Sequence, residues 1–202
     1  MMRAPHFVRD FTSYAVRSDR AAQLVEFAVS LPLLVVFVVG IFDFSGAYTL
    51  KQKLTNVAAT AASTAASDPS NDLGSGTPAS VVDAFDVISN YMLSNNMNIC
   101  GLTSSNGTQS GATPKWTFSK SAAGCSVTII INRGYYYPAT GAAAPDLNCT
   151  PQNPGSQLAI ISTCVSIQYL YAWKFGRAAS LLGRSIALPS HISAVAVALN
   201  QD

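Results

Sequence analysis

Between Phe27 and Phe42 the chain carries no charged residue, and the apolar run around this window, Leu24 to Tyr48, holds one carboxylate near each end, Glu26 and Asp43. At about 1.5 Å of rise per residue the uncharged window makes a helix roughly 24 Å long and the whole run roughly 37 Å, against a hydrocarbon slab of about 30 Å. So continuous a run does not suit the core of a 202-residue chain and predicts a transmembrane helix. Glu26 is the only glutamate in the chain. A carboxylate near the start of a membrane span is costly unless it reaches the headgroups or finds a partner. Either Glu26 marks the inner interface, or it meets a group supplied by the small residues Ala21 and Ala22 upstream.

The flanks orient the span. Residues 1–20 carry Arg3, Arg9, Arg17 and Arg20, offset by Asp10 and Asp19, whereas the far flank offers Lys51 and Lys53. The excess of arginine before the span favours a cytoplasmic N-terminus. The four cysteines, Cys100, Cys125, Cys149 and Cys164, all follow the span. Their spacing shows no CxxC and no nearby histidine, which argues against zinc. An even count on one side of a membrane points to disulfides in an oxidising compartment, with three connectivities open. Charged residues make up 11% of the chain, far below the roughly 25% of soluble proteins, as suits an exported protein. The net charge of +2, without a Lys/Arg cluster, excludes nucleic acid as an expected partner.

Past the span the periodicity stays helical. Leu50, Leu54, Val57, Ala58, Ala61, Ala62 and Ala65 fall on one stripe at three and four spacing. Span and extension are therefore expected to form one rod that Asp68-Pro69 ends. Pro32 is expected to kink it. After a loop, Ser80 is positioned to cap a second helix to about Asn95, with Asp83 near its positive end. A polar loop is expected from Gly101 to Pro114. Strands follow: Trp116 to Ser119, then Cys125 to Asn132 with Cys125, Val127, Ile129 and Ile131 on one face, then Leu158 to Trp173, Ile186 to Leu188 and Ile192 to Leu199. A proline-rich excursion occupies 138–157. The fold class expected is α+β: a long transmembrane helix extended outside the membrane, a second helix, then an antiparallel sheet.

Sites of chemistry are not evident. His6 lies in the leader and His191 at the start of the last strand. No HExxH, GxSxG, Walker A or GxGxxG pattern occurs. Asp83 and Asp86 read as a solvated helix face. No catalytic residue, cofactor or metal is expected.

The string Arg20-Ala-Ala-Gln-Leu-Val25-Glu26-Phe27-Ala28, with Leu31-Pro32, Gly40-Ile41, Asp43-Phe44, Leu54-Thr55-Asn56 and Ala58, closely resembles the TadE-like family of pilus pseudopilins over about residues 19–62. The resemblance implies a minor pseudopilin or assembly component of the tight-adherence (Flp-type) pilus, a relative of type IV pili. Its implied partners are the membrane, other pilins and pseudopilins, the assembly platform, and a prepilin peptidase. In the family that peptidase cuts after a glycine five residues before the glutamate. Ala21 stands there, a departure from the family pattern, so the cut would fall between Ala21 and Ala22. The freed Ala22 ammonium would then share a helix face with Glu26. Phe27, Pro32, Gly40 and Asp43 join Glu26 as residues for helix assembly, with Gly40 allowing close approach. Asp43 either is solvated at the outer interface or meets a partner helix.

The domains expected are a basic cytoplasmic leader at 1–21, a transmembrane helix at 22–48, an amphipathic extension at 49–67 and an exported α+β domain at 68–202. The whole reads as a non-enzymatic, single-pass protein of a bacterial inner membrane, N-terminus inside, acting in pilus biogenesis, adhesion or secretion. Competing readings are an assembly relative that never enters the fibre, and a signal-anchored periplasmic ligand-binding or enzymatic domain. A major structural pilin is disfavoured by length.

Overall fold

The computed structural model describes residues 19–69, 76–111, 113–153, 155–156, 158–174 and 188–201. Residues 1–18 of the expected leader, the connector at Leu181 to Gly183 and residues 186–187 of the strand expected from Ile186 lie outside the described residues. Helix α1 runs Asp19–Ser67, 49 residues with Pro32 inside it, and stops just before the expected Asp68-Pro69 break. Helix α2 spans Ala79–Ser94. Five strands follow: β1 Gly107–Gln109, β2 Lys115–Ala122, β3 Cys125–Pro138, β4 Ala159–Leu170 and β5 His191–Leu199. The expected α+β class is what the chain adopts. It divides into two compact units, one of residues 1–44 with 173–187 and the other of residues 45–172 with 188–202.

The second unit is built on a five-stranded antiparallel meander in which every strand pairs with its neighbour in sequence, β1-β2-β3-β4-β5. Register decides which side chains share a face. Trp116 opposes Ile131, which opposes Val165; Phe118 opposes Ile129, which opposes Ile167, which opposes Ala194. All are buried. Helix α2 packs over β2 on this face, with the rings of Phe85 and Phe118 4.6 Å apart. The extension of α1 lies along β5. Lys51 Nζ donates to the Ser193 carbonyl near one end, and the Gln201 amide donates to the Ala66 carbonyl at the other, 2.9 Å. The expected stripe is buried throughout from Leu54 through Val57, Ala58, Ala61 and Ala62 to Ala65.

The other face is covered too, which alternation along β4 does not anticipate. Ser166, which alternates against Val165 and Ile167, is buried, as are Ser162 and Cys164 on the same face. The reason is the excursion after β3, which folds back across this face. Ile130, Tyr135, Cys149 and Cys164 form a second core, joined by Val195 and Val197. Asn132 Nδ2 donates to the Cys149 carbonyl at 2.9 Å, and Gln152 Nε2 to the Tyr135 hydroxyl at 3.0 Å. Strand β3 is longer than expected, 14 residues to Pro138, because it crosses a register shift between Asn132 and Tyr135. Gly134 sits in that shift, where a Cβ would lie 2.2 Å from Pro114 Cγ.

Of the three connectivities left open, the structure selects Cys100–Cys125 and Cys149–Cys164. One bridge ties the segment after α2 to β3, the other ties the excursion to β4. Two local expectations are corrected. Ser80 does not cap α2: Pro78 holds the cap position, its carbonyl accepting from the Val81 and Val82 amides, and Ser80 is buried inside the helix. With the start there, Asp83 lies past the first turn, which holds no acidic residue. The polar loop at 101–114 contains a short strand, β1, recruited by pairing with β2 rather than by its own propensity.

A bridge closing 15 residues restricts the unfolded chain by about 3 kcal/mol, and one closing 25 slightly more. Cys149→Ser with Cys164→Ser is expected to lower unfolding stability by about 2–4 kcal/mol in chemical denaturation. Non-reducing peptide mapping should return these two pairs and no other. Asp146 supplies a pH-dependent term. Its carboxylate accepts from the Thr150 amide at 2.7 Å and the Thr150 hydroxyl at 2.8 Å. Burial pushes its pKa up, but the Thr150 amide and hydroxyl, Lys115 and the Asn148 amide together outweigh it, and the net shift is downward. The stabilisation is therefore full above the unfolded value of about 3.9 and is lost as pH falls through the lower folded value. Hydrogen exchange at the Thr150 amide should accelerate in that acid window, and Asp146→Ala should accelerate it already at pH 7.

Candidate assembly helix

From Ala22 to Phe44, in the first unit, α1 is apolar around its whole circumference. Leu24, Phe27, Val29, Leu34, Phe37 and Phe42 are all exposed, Phe42 at 75%. A surface helix on a soluble core would show one apolar stripe, whereas this one shows apolar residues in every direction. The helix is long and apolar enough to cross a membrane by length and composition. The described helix already includes Ala21 and Ala22.

Glu26 is exposed among these side chains, one turn after exposed Ala22, and Phe27 beside it is 62% exposed. Pro32 is exposed as well. It sits within an element assigned as helix without interruption from Asp19 to Ser67, and its missing N–H leaves the Ala28 carbonyl without the usual i+4 donor. Glu26 and Gly40, fourteen positions apart, lie about 40° from each other around the helix.

Gly40 and Asp43 are placed differently from Glu26. Gly40 is buried, Asp43 is 6% exposed, Ala47 is buried, and Val36 and Val39 are half-buried. These positions recur at three and four spacing, so they form one covered stripe. Asp43 is thus buried on this stripe. In the same unit the rings of Phe44 and Trp173 meet at 5.2 Å, tilted by 56°.

In the second unit, Tyr48, Lys51, Gln52, Thr55 and Asn56 line a hollow of about 440 Å³ on α1. Its Thr55 hydroxyl donates to the Lys51 carbonyl, 2.8 Å. His191, the histidine of the described residues, is exposed at the start of β5 with Nδ1 2.9 Å from Ser190 Oγ.

Helix α1 brings these features together. It offers an uninterrupted apolar surface, one exposed carboxylate a turn from a small residue, and a covered stripe centred on Gly40 and Asp43. No curated protein and no solved structure matches the chain. Residues 21–63, which hold every one of these features, match the family model described as TadE-like protein, so this segment of the chain is similar to TadE-like proteins.

Proposed function

We propose that the chain is a single-pass, membrane-anchored pseudopilin or assembly component of a tight-adherence (Flp-type) pilus, with its N-terminus in the cytoplasm and its sheet domain outside the inner membrane. The observation that carries this reading is the coincidence of the TadE-like match with an apolar helix exposed on all sides that holds Glu26, the chain's sole glutamate. The two disulfides support an exported sheet domain, since such bridges persist in oxidising compartments. Its role is structural, in pilus biogenesis, adhesion or secretion. Its partners are other pilins and pseudopilins, the assembly platform and a prepilin peptidase.

In this reading the peptidase cuts between Ala21 and Ala22. Both residues are helical, so the first turns must open for the peptide bond to reach the enzyme. Cleavage leaves an ammonium on Ala22, four residues before Glu26 and on the same helix face. Among packed helices in a low dielectric, that ammonium or a neighbour's pairs with the Glu26 carboxylate, and an unpaired carboxylate there is strongly disfavoured. The pairing selects one axial register between subunits. Phe27 and Pro32, both exposed, shape the surface that meets the neighbours; Gly40 and Asp43, covered in this chain, join that surface where the stripe opens, and there Gly40 lets a helix approach closely.

Glu26→Ala is expected to leave the protein in the membrane fraction and reduce surface piliation or adhesion to background, while Glu26→Asp retains part of it. Unchanged adhesion with Glu26→Ala sinks the register role. Mass spectrometry of the membrane-extracted protein should find a mature chain starting at Ala22. A chain still carrying residues 1–21 in cells with an active prepilin peptidase excludes processing at Ala21.

A further inference from the structure

The two edges of the sheet are treated unequally. Strand β1 ends one edge with only three residues, a length that gives no other chain a template. Strand β5 ends the other with nine, and from Ile192 to Leu199 it holds no charge and no proline. Edge strands are ordinarily blunted by lysine, proline, bulges or shortness, because unpaired N–H and C=O groups recruit other strands. Among the described residues β5 pairs with β4 alone.

The ladder shows which groups are open. The Tyr171 amide donates to the Ser190 carbonyl at 2.9 Å and the Asn200 amide to the Ile161 carbonyl at 3.4 Å. By the register of β4 on β5 and the alternation of antiparallel pairs, Ile192, Ala194, Ala196 and Ala198 turn their backbone groups toward β4. His191, Ser193, Val195, Val197 and Leu199 turn theirs away. The Ser193 carbonyl agrees, since it accepts from Lys51. Val195 and Val197 thus present two N–H and two C=O groups outward at strand spacing. Beside them lies a cavity of about 290 Å³, walled by Val195, Val197, Tyr135, Ala142, Ala143 and Pro145. Ala196 also lines it; its side chain belongs to the opposite face, so the cavity reaches the β5 main chain itself.

We infer that the open edge of β5 is a docking site for an extended, uncharged segment of a different protein chain, which adds as a sixth strand and seats one apolar side chain in this cavity. Alternating donors and acceptors along a strand are matched by another main chain, and a neighbouring hollow selects its side chain. A second copy of the protein does not fit. Lys51 on Ser193 and Ala66 on Gln201 set α1 parallel to β5, so antiparallel pairing of two β5 edges about a dyad would point their α1 extensions in opposite directions. Copies anchored alike in one membrane cannot do this, an exclusion that rests on the anchoring proposed above.

The test uses the full chain in detergent micelles, with its disulfides intact, and a fluorescein-labelled synthetic peptide copying residues 191–199 as the strand probe. Saturable binding by anisotropy is expected, with hydrogen exchange slowed at the Val195 and Val197 amides and unchanged at Ala194 and Ala196. Two probes N-methylated on complementary sets of alternate residues separate strand addition from greasy contact: one should lose binding about tenfold or more, and the other should keep it. Ala143→Trp, which fills the cavity without altering β5, should weaken binding while both disulfides and the denaturation midpoint stay as in the parent. Absence of binding, equal binding of both N-methylated probes, or protection elsewhere overturns the proposal. A chain already dimeric through β5 overturns the different-chain assignment. The readout needs no pilus: if the protein proves not to be membrane-anchored and the probe still binds, the proposed function falls and the edge site stands without its exclusion of a second copy.

Discussion

One helix has to satisfy two different surroundings, and most of the chain's design follows from that constraint. Through Phe44, α1 exposes large apolar side chains in every direction, which only a nonaqueous neighbour makes favourable. From Leu54 onward its apolar residues narrow to one buried stripe, and the rest of its circumference is Thr, Ser and Asn with the small Ala59. Alanine carries this change. Ala58, Ala61, Ala62, Ala65 and Ala66 are all buried. They extend the helix at no cost in side-chain entropy and let its backbone come close to what it packs on.

The sheet answers the helix with large residues. Trp116, Phe118, Ile129, Ile131 and Ile167 fill the face the helices cover, so volume missing from α1 is supplied from across the interface. The second face has its own, smaller core, made by a segment with little regular structure. Such a segment holds few backbone hydrogen bonds of its own, and the bridge from Cys149 to Cys164, the Asn132 amide and the Gln152 side chain take their place. Arg133, buried at the register shift, reaches past the end of α1 to donate to the Asp68 carbonyl at 2.8 Å. Helix end, strand irregularity and excursion thus meet in one region of the unit.

Features set by local periodicity were legible in the sequence. The long helix, its end at Asp68-Pro69, the alanine stripe, the inward faces of β3 and the antiparallel order all follow from spacing that nearby residues enforce. What escaped was set by distant partners. Ser162 and Ser166 are buried because the excursion returns over them, and nothing in β4 announces that return. Strand β1 exists only as a complement to β2. Ser80 was displaced as a cap because Pro78, with its fixed backbone angle, starts the helix two residues earlier. At the candidate site, Glu26 was identifiable as a lone carboxylate in an apolar run. Burial of Asp43 was not, because a carboxylate near an interface has a satisfactory solvated alternative, and only the surrounding structure chooses between them.

The meander has a consequence for the order in which the unit assembles. Each strand pairs with its sequence neighbour, and each disulfide closes a loop of 25 residues or fewer, so the sheet can grow as successive hairpins with low contact order. The exception is the seating of α1, which depends on Ser193 and Gln201 in the last ten residues. The first part of the unit to be synthesised is therefore the last to be locked. Until β5 and Gln201 have followed, the alanine stripe has no complete surface to rest on, and the helix stays available to whatever else is waiting beside it.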